Sequence, residues 1–212
     1  MGRGALLTGT AGGIIGTIAA GIGIIWFILI AFQSYQLIPI IVGSIMIALP
    51  FYTGVSMIII VFTILFVALL AVSSILTGVG FYGEYTVSQK AMGVVGLVFG
   101  IIGGVSAAIL IIIGLFTNPS IGFLQNYASN SLIINWIAFI ILGVSFIIMG
   151  SASIVMGDFT TKPGAAKAGG ILGIIGGSAF ILYILGLTII IGSGLVFTAF
   201  LLWAIVFYGT EA

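Results

Sequence analysis

Three carboxylates, Glu84, Asp158 and Glu211, are the first residues to weigh for chemistry. A catalytic acid–base pair needs two such groups within reach of one substrate proton. These three stand far apart, each just past a long apolar run, so solvated helix-end charges are the expectation. Pairing with Lys90, Lys162 or Lys167 is open to them, but exposed pairs of that kind contribute little stability. The 212 residues include no cysteine and no histidine. Disulfides, thiolate or imidazole metal ligands and the usual haem ligand and proton shuttle are thereby removed. The chain reads as a non-enzyme with no catalytic, cofactor-binding or metal-binding residue.

The remaining polar candidates lie among apolar neighbours. Asn135, beside Trp136, reads as an interface anchor or a helix–helix hydrogen-bonding group. Tyr183 needs a hydroxyl partner, and Trp26, Trp203, Tyr82 and Tyr208 read as belt or packing aromatics. Ser73, Ser74, Thr77, Ser151 and Ser153 are accounted for by bonds back to their own helix carbonyls. No ionisable side chain except tyrosine falls inside the spans set out below, which argues against proton relays, ion sites and voltage sensing. The glycine clusters are no phosphate cradle, because a P-loop needs its Lys and Ser/Thr at fixed offsets and an aqueous setting.

These residues must be positioned by membrane helices. The chain is 62% hydrophobic and 3% charged, whereas soluble domains carry about 25% charged residues. Uncharged runs longer than about 18 residues predict helical spans, at 8–32, 55–80, 91–116, 131–156, 168–188 and 192–208. No period-two alternation suggests a barrel. The first run has the outline of a signal peptide behind Arg3, but its length and lack of an A-x-A end make it a retained anchor. "LIPIIVGSIMIAL" (Leu37–Leu49) is too short for a standard crossing and reads as interfacial or re-entrant, with a seventh span as the alternative. The outer connection "TNPSIGFLQNYASNS" (Thr117–Ser131) is polar and uncharged.

With six spans, every charged residue falls on one side, including all four cations, Arg3, Lys90, Lys162 and Lys167. The positive-inside rule makes that side cytoplasmic, so both termini are inside and the chain is a multi-pass cell-membrane protein. Net charge is only +1, which leaves no basic patch for nucleic acid.

A heptamer then organises the chain. "TAGGIIG" (Thr10–Gly16), "KAMGVVG" (Lys90–Gly96) and "KAGGILG" (Lys167–Gly173) each open a span. The second span of each pair closes on similar residues, "FYGE" at Glu84, "MGD" at Asp158 and "FYGT" at Thr210. The glycine before each polar residue is a plausible helix C-cap. The expected fold class is an all-α integral membrane protein, with six transmembrane helices as three parallel repeats of a helical hairpin, N-in and C-in. The hairpins occupy residues 8–84, 90–158 and 167–210 of one membrane domain.

Small residues recur every four positions in spans one, three and five: Gly12, Gly16 and Ala20; Gly96, Gly100, Gly104 and Ala108; Gly169, Gly173 and Gly177. Lipid gives helices no hydrophobic drive to associate, so small-xxx-small grooves and close contact must do so. An inner cluster of spans one, three and five, with the bulkier helices outside, is the expected packing. Isoleucine is nearly twice as frequent as leucine, a bias found in thermophilic archaeal proteins. The expected partners are the lipid bilayer and other membrane subunits or copies of the chain itself. The function to expect is a structural or accessory membrane subunit, with a small channel or carrier for neutral or gaseous solutes as the alternative.

Overall fold

The computed structural model describes residues 2–33, 39–42, 45–48, 57–116, 128–182 and 187–210. Six helices carry the fold: α1 (Gly2–Gln33), α2 (Met57–Ser88), α3 (Met92–Phe116), α4 (Ala128–Met156), α5 (Pro163–Ile181) and α6 (Leu187–Gly209). All six contain a stretch long and apolar enough to cross a membrane. The protein is therefore a multi-pass helical membrane protein. At about 1.5 Å per residue, the 32 residues of α2 reach about 48 Å. That exceeds the ~30 Å hydrocarbon layer, so the last turns of α2 extend toward one interface.

Between α1 and α2, Pro39–Val42 (β1) pairs antiparallel with Ile45–Ala48 (β2), with Pro39 opposite Ala48. A transmembrane strand needs about 9–11 residues, so two strands of four do not make a seventh crossing. The fifth expected span, 168–188, is misplaced at both ends. Helix α5 starts at Pro163, where the ring's fixed φ suits a first helical turn. It ends at Ile181, and α6 is already helical from Leu187. Tyr183 and residues 117–127 of the outer connection lie outside the described residues, as do the side chains of Trp26, Asn135 and Trp136.

The helices form a closed ring in chain order, α6 packing back on α1. Every described interface is antiparallel. Gly9 meets Gly80 while Gly12 meets Thr77 across α1 and α2; Gly96 meets Phe81 while Gly104 meets Ile75 across α2 and α3. Gly150 faces Gly170 while Gly143 faces Gly177 across α4 and α5, and Gly13 faces Ala204 while Gly16 faces Phe200 across α1 and α6. Helices α2, α4 and α6 thus run parallel to one another, and the charged ends of the chain segments gather at one end of the ring.

The centre is filled from those three helices. Contacts across the ring join α2 to α4 and α2 to α6. Phe81, Phe146, Phe200, Trp203 and Phe207 are fully buried there, with edge-to-face pairs such as Phe81–Phe207 at 5.2 Å and Phe146–Phe200 at 5.6 Å. The expected inner cluster of spans one, three and five is therefore reversed. The physical reason is volume. A ring of six leaves an axial space that aromatics fill and glycines do not, so the bulky stripes of α2, α4 and α6 face inward. The Gly-rich helices wedge between them and turn Ile14, Ile18, Val98, Ile101, Val105, Ile171 and Ile175 outward.

The glycines serve these wedges. A methyl group added to Gly100 would lie 2.7 Å from the Gly78 Cα, and one on Gly12 would lie 2.5 Å from the Thr77 backbone nitrogen. Gly96 and Gly104, like Gly100, face α2. On α1 and α5 the series divides between two neighbours. Gly12 abuts α2 and Gly16 abuts Phe200 of α6; Gly169 and Gly173 abut Trp203 of α6, while Gly177 abuts the Gly143 carbonyl of α4. Steps of four residues advance around a helix by about 40°, so one series sweeps from one partner to the next.

Candidate functional site: a buried carboxyl at the charged end

Glu84 does not sit in solvent. It is 1% exposed, near the end of α2, inside a stretch apolar enough to span the membrane. Sequence reasoning ended this helix at Gly80 and took Gly83 as its cap. In the fold α2 continues through Gly83 to Ser88. Gly83 is instead a point of close approach, where an added methyl would lie 2.9 Å from the Leu6 backbone nitrogen of α1. The helix stops at Gln89, whose φ of 58° places it in the left-handed region and whose N–H donates to the Tyr85 carbonyl at 2.8 Å. That is a C-terminal αL cap with glutamine where glycine is commonest.

The first extra turn carries Glu84 round to the ring interior, on the stripe that includes Ser74, Thr77 and Phe81. Its Oε1 lies 2.6 Å from the Thr210 hydroxyl, at the end of α6. Thr210 Oγ1 also lies 2.9 Å from the Val206 carbonyl. Glu84 Oε2 is buried and has no hydrogen-bond partner. The two residues that follow "FYG" in α2 and α6 are therefore in direct contact, and the two phenylalanines of those motifs pack edge to face above them.

The other expected carboxylate behaves as read. Asp158, in a single 3₁₀ turn (Gly157–Phe159) after α4, pairs with Lys167 at 2.7 Å, both side chains well exposed. Lys90 lies over the Phe159 ring at 4.7 Å, and the end of the Lys162 side chain, Nζ included, rests on Gly209. Glu211 lies outside the described residues. Other polar ties gather at the same end: Ser88 Oγ to Met156 Sδ at 3.7 Å, Thr161 Oγ1 to the Gly209 carbonyl, and Ser153 Oγ to the Ala166 carbonyl at 2.8 Å. No group of three or more metal-ligating side chains occurs among the described residues.

Of the hydroxyls, Ser73 and Ser151 bond back to Leu70 and Ile147, as expected. Ser153 bridges to α5 instead, and Ser74 and Thr77 are buried with no partner. Ser193 Oγ and the Trp203 indole N–H share that condition. Trp203 is wholly buried, so it is an axial packing residue rather than a belt residue; Tyr208, Phe159 and Tyr82 are exposed aromatics of this end.

The burial of Glu84, expected in solvent, has one signal in the sequence. "FYGEYTVSQ" contains no helix breaker other than Gly83, and polar residues at 84 and 88 continue the spacing of 74, 77 and 81. No protein-family model matches the chain, and neither a curated protein nor a solved structure matches it.

Proposed function

We propose that the chain is a non-catalytic structural or accessory subunit of a membrane assembly, packing against other subunits or against copies of itself. The observation that carries this reading is the filled axis. Where a pore would run, Phe81, Phe146, Phe200, Trp203 and Phe207 meet. The glycines that permit close helix contact are nearly all spent within the ring, since only Gly4, Gly164 and Gly194 among those described have no neighbour within 4 Å of an added methyl. What the chain offers outward is a belt of branched aliphatic side chains, suited to lipid and to apolar partner helices.

The reading includes three parallel helical hairpins derived from one unit. Its support is the repeated heptamer and the placement of its glycines. Gly13 and Gly16 seat α6, Gly93 and Gly96 seat α2, and Gly170 seats α4 while Gly173 lies nearest Trp203 of α6. Each opening helix thus sets at least one heptamer glycine on the helix before it around the ring. It also places the charged end in the cytoplasm, from the position of Arg3, Lys90, Lys162 and Lys167. Purification in a mild detergent, followed by mass spectrometry, tests the role. A partner in fixed stoichiometry, or a defined homo-oligomer, is expected. A stable solitary monomer contradicts it.

A second reading, a carrier or channel for neutral solutes, draws support from the buried hydroxyls of Ser74, Thr77 and Ser193 that have no protein partner. Such groups are usually satisfied by ordered water. Flux of water or ammonia in liposomes containing the protein tests it, and rates equal to those of empty liposomes end it.

A further inference from the structure

Packing does not explain a carboxyl at Glu84. An apolar residue would fill the same space without the cost of burying a polar group that lacks a partner on one oxygen. No described cation is engaged with it. On α1 the ionisable side chain is Arg3, in the exposed first turn. Lys90, before α3, is committed to the Phe159 ring. Asp158, after α4, is paired with Lys167 of α5, and the exposed Lys162 lays its Cε and Nζ against Gly209, beside Thr210, without an ion pair to Glu84. On α2 itself, the Tyr82 and Tyr85 rings lie against each other at a tilt, their centroids 5.8 Å apart. On α6, Tyr208 points outward, being 74% exposed. Glu84 is absent from the ion pairs of the described residues, where Asp158–Lys167 is the one found.

Thr210 serves either protonation state. The Val206 carbonyl already accepts the Thr210 backbone N–H at 3.0 Å, which leaves the hydroxyl free to donate to a Glu84 carboxylate or to accept from a protonated one. Its hydroxyl has one hydrogen and two oxygens within reach, the Val206 carbonyl at 2.9 Å and Glu84 Oε1 at 2.6 Å. When the hydroxyl donates to Val206, the shorter contact requires a hydrogen from the carboxyl. A distance of 2.6 Å suits a hydrogen bond in either arrangement, so the case for a proton rests on the unpartnered Oε2 and the lack of a paired cation.

We propose that Glu84 is a proton-binding site, and that its proton closes the charged end of the ring by joining α2 to α6 through Thr210. In the closed form the protonated carboxyl donates to Thr210 Oγ1, which donates to the Val206 carbonyl. Release breaks the carboxyl O–H bond and passes the proton to water at the charged end. The resulting carboxylate faces no cation inside the ring. In the closed form it keeps the Thr210 hydroxyl alone as a donor, and it is fully solvated when the last turns of α2 and α6 part and water reaches both oxygens. This site is independent of the subunit role proposed above, and a monomer could carry it equally well.

The sign follows from linkage. The closed form holds one proton more than the open form, so closure is favoured at low pH and lost as pH rises. Once the open form is ionised, the open-to-closed ratio rises about tenfold per pH unit. The chain has no cysteine, so spin labels can be placed on cysteines substituted at the exposed Tyr82 and Tyr208. Their separation is then measured in lipid nanodiscs from about pH 5 to about pH 10, a range wide enough to cover a one-proton transition.

A short distance at low pH giving way to a longer one is expected, with E84Q fixed at the short distance throughout. T210V should open at lower pH than the unsubstituted chain. Infrared difference spectra between the pH extremes should show loss of a carboxylic C=O band that is absent in E84Q; this readout, with T210V, stands even where E84Q folds poorly. A distance that does not change with pH overturns the proposal. So does an E84Q protein that follows pH as the parent does, or a difference spectrum without the carboxylic band.

Discussion

Glu84 and Asp158 follow a glycine in similar sequence settings, "FYGE" and "VMGD", yet one is sealed in the ring and the other stands in solvent. Helix continuation makes the difference. Helix α2 runs past its glycine for more than one further turn, to Ser88, because Gly83 is needed for the approach of α1 and is flanked by residues that sustain a helix. Helix α4 stops at Met156, and a 3₁₀ turn throws Asp158 outward to meet Lys167. A glycine in a membrane helix thus has two meanings, a stop or a contact, and the chain packed against it selects between them.

Charge reversal separates the two sites most strongly. Glu84→Lys places an ammonium in the ring interior with no counter-ion, and should cost about 3 kcal/mol or more. Asp158→Lys loses only an exposed pair and should cost less than about 1 kcal/mol. The midpoint of unfolding in SDS, followed by circular dichroism, checks both. Equal effects would erase the distinction.

One substitution made at the neighbouring glycines extends the contrast. A methyl on Gly93 would lie 2.6 Å from the Phe81 carbonyl, a backbone atom that cannot yield alone, so Gly93→Ala should lose about 1–3 kcal/mol. At Gly157 the nearest atom is Lys167 Cγ at 3.2 Å, on a flexible chain, and Gly157→Ala should stay within about 0.5 kcal/mol of the parent. The same SDS titration reads both.

Thr210→Val keeps shape while removing the hydroxyl from Glu84, for an expected loss of about 1–2 kcal/mol at neutral pH. The smallest effect concerns the helix stop. Gln89→Gly relieves a side chain at φ 58°, and should raise stability by about 0.5–1 kcal/mol in the same assay. A destabilised Gln89→Gly protein would mean that the glutamine side chain, which donates to the Thr86 carbonyl at 3.2 Å, holds the cap.

The membrane class and the presence of six long apolar helices were legible because charge is so scarce and so regularly placed. The exchange of inside and outside was not. Small residues signal close contact without saying on which face, and the demand for bulk at the axis of a ring arises only once α6 closes on α1. Glu84 was hidden for a related reason. Its burial depends on the turn of helix beyond Gly80 and on Thr210, 126 residues away, and hydropathy windows report neither. The αL stop at Gln89 carries no glycine or proline to announce it.

The central claim, that Glu84 is enclosed where Asp158 is exposed, is tested most directly by single-cysteine labelling. Glu84→Cys and Asp158→Cys, each alone in the cysteine-free chain, are exposed to a membrane-impermeant maleimide from both sides of the bilayer. The structure predicts prompt labelling at 158 and none at 84 until detergent unfolds the ring. Labelling of both positions at similar rates in the folded protein would contradict it.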